Sequence, residues 1–206
     1  MGTRSPSPAP HGAGKRGGPF ALVMAGLLAL AAAGGVGTYV SVSGVQQVAQ
    51  HEGLRYTSYP DPGTGGAPWT VCYGSTRGVR PGMTLTHEEC LERLAADLWD
   101  AERAVQRNVK VPLRQGEYDA YVSFVFNVGE GNFRSSTMLR LLNSGDRTGA
   151  CNQFPRWKYA NKLVLNGLVV RRHEEQSLCL QEGPYVYPQT HRTCGSDTHC
   201  PADCSR

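Results

Sequence analysis

Leu91, Leu94, Ala95, Leu98, Ala101 and Val105 recur at intervals of three and four residues, the spacing of one buried helix face. Thr86-His87-Glu88-Glu89 stands just before them and reads as a capping box, with Thr86 as N-cap and Glu89 three residues on. A helix is therefore predicted to about Arg107, ahead of Val109-Lys110-Val111-Pro112. A second helix is predicted over roughly Arg114 to Asn127, where Tyr118, Tyr121, Val122, Val125 and Phe126 are apolar and Gly129 and Gly131 stop it. Shorter helices are expected near 135–143, 146–154 and 168–179. Upstream, residues 54–80 hold short runs of Tyr, Thr and Val broken by Gly and Pro. They read as a small hairpin sheet with turns at Asp61-Pro62-Gly63 and Gly65-Gly66. Val45, Val48 and Ala49 form a short amphipathic stretch that leads into Glu52. From Gln181 the chain turns polar, with Pro184, Pro188, Gly195 and Pro201, and reads as a tail. The order is an apolar segment, a small sheet, then helices: an α+β pattern in two unequal lobes.

The apolar segment changes this picture at the N-terminus. Residues 1–19 are basic and rich in Pro, Gly and Ser, a composition of disorder. Phe20 to about Val45 carries no charged residue and is long enough to cross a bilayer as a helix. Its Ala29 to Ala33 run and Gly34, Gly35 and Gly37 give little transfer energy, so its hold on a membrane is expected to be loose. The positive-inside rule puts Arg4, Lys15 and Arg16 in the cytoplasm and the rest outside. Three readings stand: a signal peptide cleaved near Ala31-Ala32-Ala33, a permanent anchor, or an uncleaved anchor that later leaves the bilayer.

Charge narrows the partners. The formal net charge is +4, of which the first 44 residues supply +3. The remainder is nearly neutral, which excludes a nucleic-acid binder with a concentrated basic face. The 206 residues leave room for one domain of ordinary size plus appendages. Seven cysteines without a Cys-x-x-Cys pair favour disulfides in an oxidising compartment over zinc or redox chemistry.

The candidate chemistry is Glu52, then Asp61 nine residues on, then Thr70 nine further. One carboxyl can protonate a leaving oxygen while a carboxylate and a hydroxyl hold a water. Read alone, Asp61 before Pro-Gly suits a turn, and Thr70 suits a strand. The wider motif decides between these. His51-Glu52-Gly53-Leu54-Arg55-Tyr56, Pro68-Trp69-Thr70-Val71-Cys72-Tyr73-Gly74, Tyr121 to Gly129, Phe133 to Arg140, Arg156-Trp157, Gly167-Leu168 and Arg171-Arg172 follow in one order. Together they resemble the tailed-phage lysozymes, glycoside hydrolase family 24, over about residues 46–182. The charge-poor, Gly- and Ala-rich segment resembles the anchor of signal-anchor-release endolysins.

That resemblance implies a lysozyme-like two-lobed fold, with a small β-hairpin lobe and a mainly helical lobe, preceded by an N-terminal membrane helix. It implies four regions: a disordered 1–19, a signal anchor at 20–45, a catalytic domain at 46–182 and a cysteine-containing tail at 183–206. The implied reaction is hydrolysis, with inversion, of the β-1,4 bond between N-acetylmuramic acid and N-acetylglucosamine in peptidoglycan, for phage-mediated host lysis. Glu52 is then the general acid, raised toward neutrality by partial burial, while Asp61 stays ionised and orients the water with Thr70. Many members have a shorter spacer between the Asp and the Thr; here it is eight residues, Pro62 to Trp69, a longer hairpin tip. Asn127 is implied to contact sugar, His51 to be a structural neighbour, and Arg171 and Arg172 to hold ion pairs or line the cleft wall. Cys72 is implied to pair with Cys90, and Cys151 with Cys179. Cys194, Cys200 and Cys204 have no counterpart; one tail disulfide and a free thiol are expected there, since the spacing with His191 and His199 fits no standard metal site. No cofactor or metal is implied. The implied partners are glycan strands, the inner membrane through residues 20–45, and a holin acting indirectly on a monomer that is later released to the periplasm. Two rivals remain: a lytic transglycosylase on the same fold, and an inactive wall-binding or lysis-regulating protein.

Overall fold

The computed structural model describes residues 20–34, 38–60, 65–160 and 162–187. Asp61 and the three tail cysteines lie outside them.

The periodic segment forms the longest helix among the described residues, α3 (His87–Asn108), with thirteen further helices and strands around it in a small sheet lobe and a helical body. They are, before it, α1 (Phe20–Gly34), α2 (Val42–Glu52), β1 (Arg55–Pro60) and β2 (Trp69–Cys72), and after it β3 (Leu113–Arg114), α4 (Gln115–Val128), α5 (Glu130–Arg134), α6 (Thr137–Asn143), α7 (Arg147–Cys151), β4 (Tyr159–Ala160), β5 (Leu163–Val164) and α8 (Asn166–Cys179), with a closing strand β6 (Tyr185–Tyr187). The Thr86 capping box is formed in both directions, and Leu91, Leu94, Leu98 and Val105 are buried along one face. By contrast α4 is buried on every side from Glu117 to Val125, which marks it as the central helix of the body. It packs against α2, α3 and α8. Tyr121, Phe124, Phe133 and Phe154 stack edge-on and face-on around it.

β1 and β2 pair antiparallel, with Tyr59 opposite Thr70 and Pro60 opposite Trp69, and the register shifts between Arg55 and Tyr59. A disulfide between Cys72 and Cys90 joins this sheet to the first turn of α3. A second, between Cys151 and Cys179, joins α7 to α8. Each closes a loop of ordinary length, of 18 and 28 residues, and contributes about 2–4 kcal/mol.

Three features depart from the sequence reading. First, the uncharged stretch 20–45 is not one membrane-length helix. α1 has 15 residues, about 22 Å, against a hydrocarbon core of roughly 30 Å. No helix among the described residues is long and apolar enough to cross a membrane. α1 lies instead on α3, where Val23 and Leu27 are fully buried and a Cβ on Gly26 would stand 3.0 Å from Ala95 Cβ. A new helix starts at Val42 because Ser41 is extended and its hydroxyl accepts the Gly44 amide. Second, residues 185–187, read from the sequence as part of the tail, pair with the body. Leu113 pairs with Tyr187 and Arg114 with Tyr185, and the Tyr187 ring packs on Tyr39 and Tyr118. Third, the short helices give way at Tyr159–Ala160 and Leu163–Val164 to a two-residue antiparallel hairpin ahead of α8.

Candidate active site

Glu52 is the last residue of α2, and Gly53 (φ +66°) turns the chain out of the helix toward β1. Two buried carboxylates of the body set where that helix begins. Glu102 of α3 accepts from Thr38 Oγ1 (2.8 Å), the Tyr39 amide (2.9 Å), the Val40 amide (3.1 Å) and the Tyr118 hydroxyl (3.0 Å). Asp119 of α4 accepts from the Ser41 amide (2.9 Å), the Ser41 hydroxyl (2.6 Å) and Gln115 Nε2 (3.0 Å). Burial pushes the Asp119 carboxyl up, and the bonds from Ser41 oppose that. Val45, Val48 and Ala49 then seat α2 on the core.

At its other end the Glu52 carboxylate is 19% exposed. Oε1 lies 2.5 Å from Nη1 of Arg171 on α8. Oε2 faces Gly74 just after the sheet, where an added Cβ would come within 3.2 Å; with φ at +87°, glycine suits that position on both counts. Arg171 is itself buried. Its Nε donates to Glu175 Oε1 (3.1 Å) and its Nη2 to the Ser123 carbonyl (3.0 Å). Arg172, fully buried, sits 2.9 Å from Glu175 Oε2 through Nε, donates from Nη2 to Asn127 Oδ1 (3.1 Å), and lies over the Phe124 ring at 5.0 Å. The Ser123 hydroxyl donates to Glu175 Oε1 at 2.7 Å. Burial acts against both charges of this cluster. It raises the Glu175 carboxyl and draws Arg172 down to about 10, still a cation at neutral pH. His51 Nε2 is 2.7 Å from Glu174, and burial, with Arg171 beside it, lowers the imidazole.

Glu52, Arg171, Glu175, Arg172 and Asn127 thus form one continuous polar chain from α2 across α8 to the end of α4. Asn127 is exposed, with its Oδ1 held by Arg172. Thr70 is half-buried on β2 opposite Tyr59 and makes no bond to this chain among the described residues.

The site opens into a cleft of about 450 Å³ between the loop Gly74-Ser75-Thr76, the middle of α3, and the end of α4 with the start of α5. Gly74 belongs both to its wall and to the surroundings of Glu52. Most charge in the cleft is paired. Arg107 Nη2 meets Glu130 at 2.7 Å, and Arg77 meets Asp100. Asp97 accepts from the Ser75 hydroxyl, and burial pushes its carboxyl up. Among the described residues no group of three or more His, Cys, Asp or Glu side chains gathers to hold a metal ion.

Sequence reasoning passed over Glu175, Glu102 and Asp119. The signal was present: Glu102 falls on the apolar face of α3, Asp119 stands inside an apolar run, and Glu175 follows Arg171 and Arg172 at i+4 and i+3.

Comparison with known proteins gives one answer. The phage lysozyme family model matches residues 49–175. A SAR-endolysin of Bacteriophage PS119 is 44% identical over 130 residues, 63% of this chain and 76% of that protein. Among solved structures, the muramidase domain of SpmX from Asticaccaulis excentricus superposes with a TM-score of 0.64 at 35% identity, covering 69% of this chain and 98% of that one. A mutant of P22 lysozyme superposes with a TM-score of 0.60 at 36% identity, covering 69% and 98%.

Proposed function

The chain belongs to the phage lysozyme family of glycoside hydrolases, and from that membership we propose that it is an endolysin that hydrolyses the β-1,4 bond between N-acetylmuramic acid and N-acetylglucosamine with inversion. The observation that carries this reading is the setting of Glu52. Arg171 holds Oε1, which leaves Oε2, on the side of Gly74 and the cleft, as the atom that gives its proton to the leaving sugar oxygen. The bond from the muramic anomeric carbon to that oxygen breaks. Water adds to the opposite face of the same carbon, and its proton passes to Asp61, with Thr70 orienting the water beside it. Asn127, braced through Oδ1, presents its amide group to sugar. Proton NMR of a digest, recorded before mutarotation, is expected to show the α anomer of newly reducing muramic acid. Initial β product or a dominant 1,6-anhydro end would sink the inverting hydrolase and favour the retaining or transglycosylase reading.

Residues 20–45 act, in this proposal, as an uncleaved signal anchor that leaves the bilayer when a holin de-energises it, freeing the protein into the periplasm. The similarity to SAR-endolysins supports this, as does the weak hydrophobicity of the segment. So does the seat that α1 finds on α3 once out of lipid. N-terminal sequencing of the soluble periplasmic protein is expected to read from the first residues of the chain. A new terminus near Gly34 would mean cleavage and no release step.

A further inference from the structure

The β4–β5 hairpin has no part in the chemistry above, and it carries a run of exposed apolar side chains. Leu163 is 67% exposed, Tyr159 57%, Val164 49% and Leu165 45%, all within seven residues. In a body whose other aliphatic side chains mostly face the core, this is a concentrated apolar projection.

Its charge has one sign. From Arg147 to Arg172 the sequence contains no acidic residue. Arg171 and Arg172 are buried in the site, which leaves Lys162 as the cation of the hairpin, with Arg156 and Lys158 just ahead of it in the chain. Lys162 is exposed at the turn, and the Lys158 ammonium lies 5.8 Å from the Tyr159 ring centroid. Aliphatic side chains at the tip, an aromatic ring beside them and lysines on long stems make up the chemistry of a surface that meets a lipid headgroup layer. The stems reach the anionic headgroups while the apolar tips enter the acyl boundary. A wall polymer of anionic sugars would satisfy the lysines but give Leu163 and Val164 nothing to bury against.

We propose that the β4–β5 hairpin docks the folded protein on an anionic phospholipid surface. This contact is separate from the proposed anchor: it belongs to the folded catalytic body, depends on headgroup charge, and fades with salt. The probe is full-length protein with vesicles of phosphatidylglycerol or of phosphatidylcholine. Two double variants are compared, Lys158→Gln with Lys162→Gln, and Leu163→Ser with Val164→Ser. Wild type is expected to prefer the phosphatidylglycerol vesicles. The lysine pair should lower that affinity roughly thirtyfold, at about one tenfold step or somewhat less per lysine. The apolar pair should lower it at least roughly tenfold. Both should clear purified peptidoglycan at the wild-type rate and melt as wild type does. Equal binding to the two lipids, or variants that bind phosphatidylglycerol as well as wild type, would overturn the proposal. Variants that lose affinity for purified sacculi while keeping it for vesicles would overturn it too, and assign the hairpin to the wall. An inverting mechanism disproved by NMR leaves this test untouched.

Discussion

Glu52→Gln is expected to lower the rate of peptidoglycan clearing by roughly 10³-fold, within the span of 10²–10⁴ that a positioned general acid supplies. The substitution keeps the side-chain shape and an oxygen that can accept from Arg171 Nη1, now 2.5 Å from Oε1. Arg171 also keeps Glu175 and the Ser123 carbonyl, so the guanidinium is not left stranded. The fold should therefore lose no more than about 1 kcal/mol, the size of one hydrogen bond exchanged for a weaker one. Turbidity clearing and thermal melting on the same sample separate the two effects. A variant that keeps more than about a tenth of wild-type clearing with an unchanged melt would remove Glu52 from the role of acid and leave it as a partner for Arg171.

Glu175→Ala should produce the largest loss of stability. Glu175 is fully buried and shared by Arg171, Arg172 and the Ser123 hydroxyl. Truncating it leaves Arg172 with Asn127 and the Phe124 ring face as its remaining partners, far from water. Breaking a buried pair by removing one charge costs about 3–5 kcal/mol, which for a chain of this size lowers the melting temperature by roughly 6–20 °C. Glu182→Ala is the matched control. Its ion pair with Arg114 is exposed, at 83% for the glutamate, and exposed pairs contribute little. Calorimetry of the two variants should show a wide gap. Equal melting temperatures would mean that the buried cluster contributes no more than a surface pair.

The elements legible in the sequence are those written locally. The Thr86 capping box and the spacing of Leu91, Leu94 and Leu98 lie within one stretch, and the helix formed there begins at His87 as that pattern requires. The hairpin lobe was readable for the same reason, from Gly and Pro punctuating Tyr, Thr and Val. What was not legible depends on partners far along the chain. Leu113 has no strand character until Tyr187 returns to it, and two-residue strands such as Tyr159–Ala160 carry no period to detect. The site divides in the same way. The spacing of Glu52, Asp61 and Thr70 is a motif. The hold of Arg171 on Glu52 spans 119 residues. For Glu102, Asp119 and Glu175 a local window offers a hint, an acid on an apolar face or beside two arginines, but the partners that satisfy Glu102 and Asp119 lie up to 78 residues away. The uncharged stretch 20–45 is the instructive case. Its hydropathy permits a bilayer, but Gly26 also permits close approach to α3 at Ala95, and composition alone does not choose between the two solvents.

The placement of the two disulfides has a mechanical consequence. Cys72–Cys90 staples the sheet to the root of α3, and Cys151–Cys179 staples two helices of the body to each other. Neither ties the Gly74 loop to the α4–α5 wall across the gap. Among the described residues, oxidation thus stiffens each side of the cleft and adds no covalent tie across it. The width of that cleft is therefore set by noncovalent contacts, such as those of Arg107 and Asn108 on α3 with Glu130 on α5.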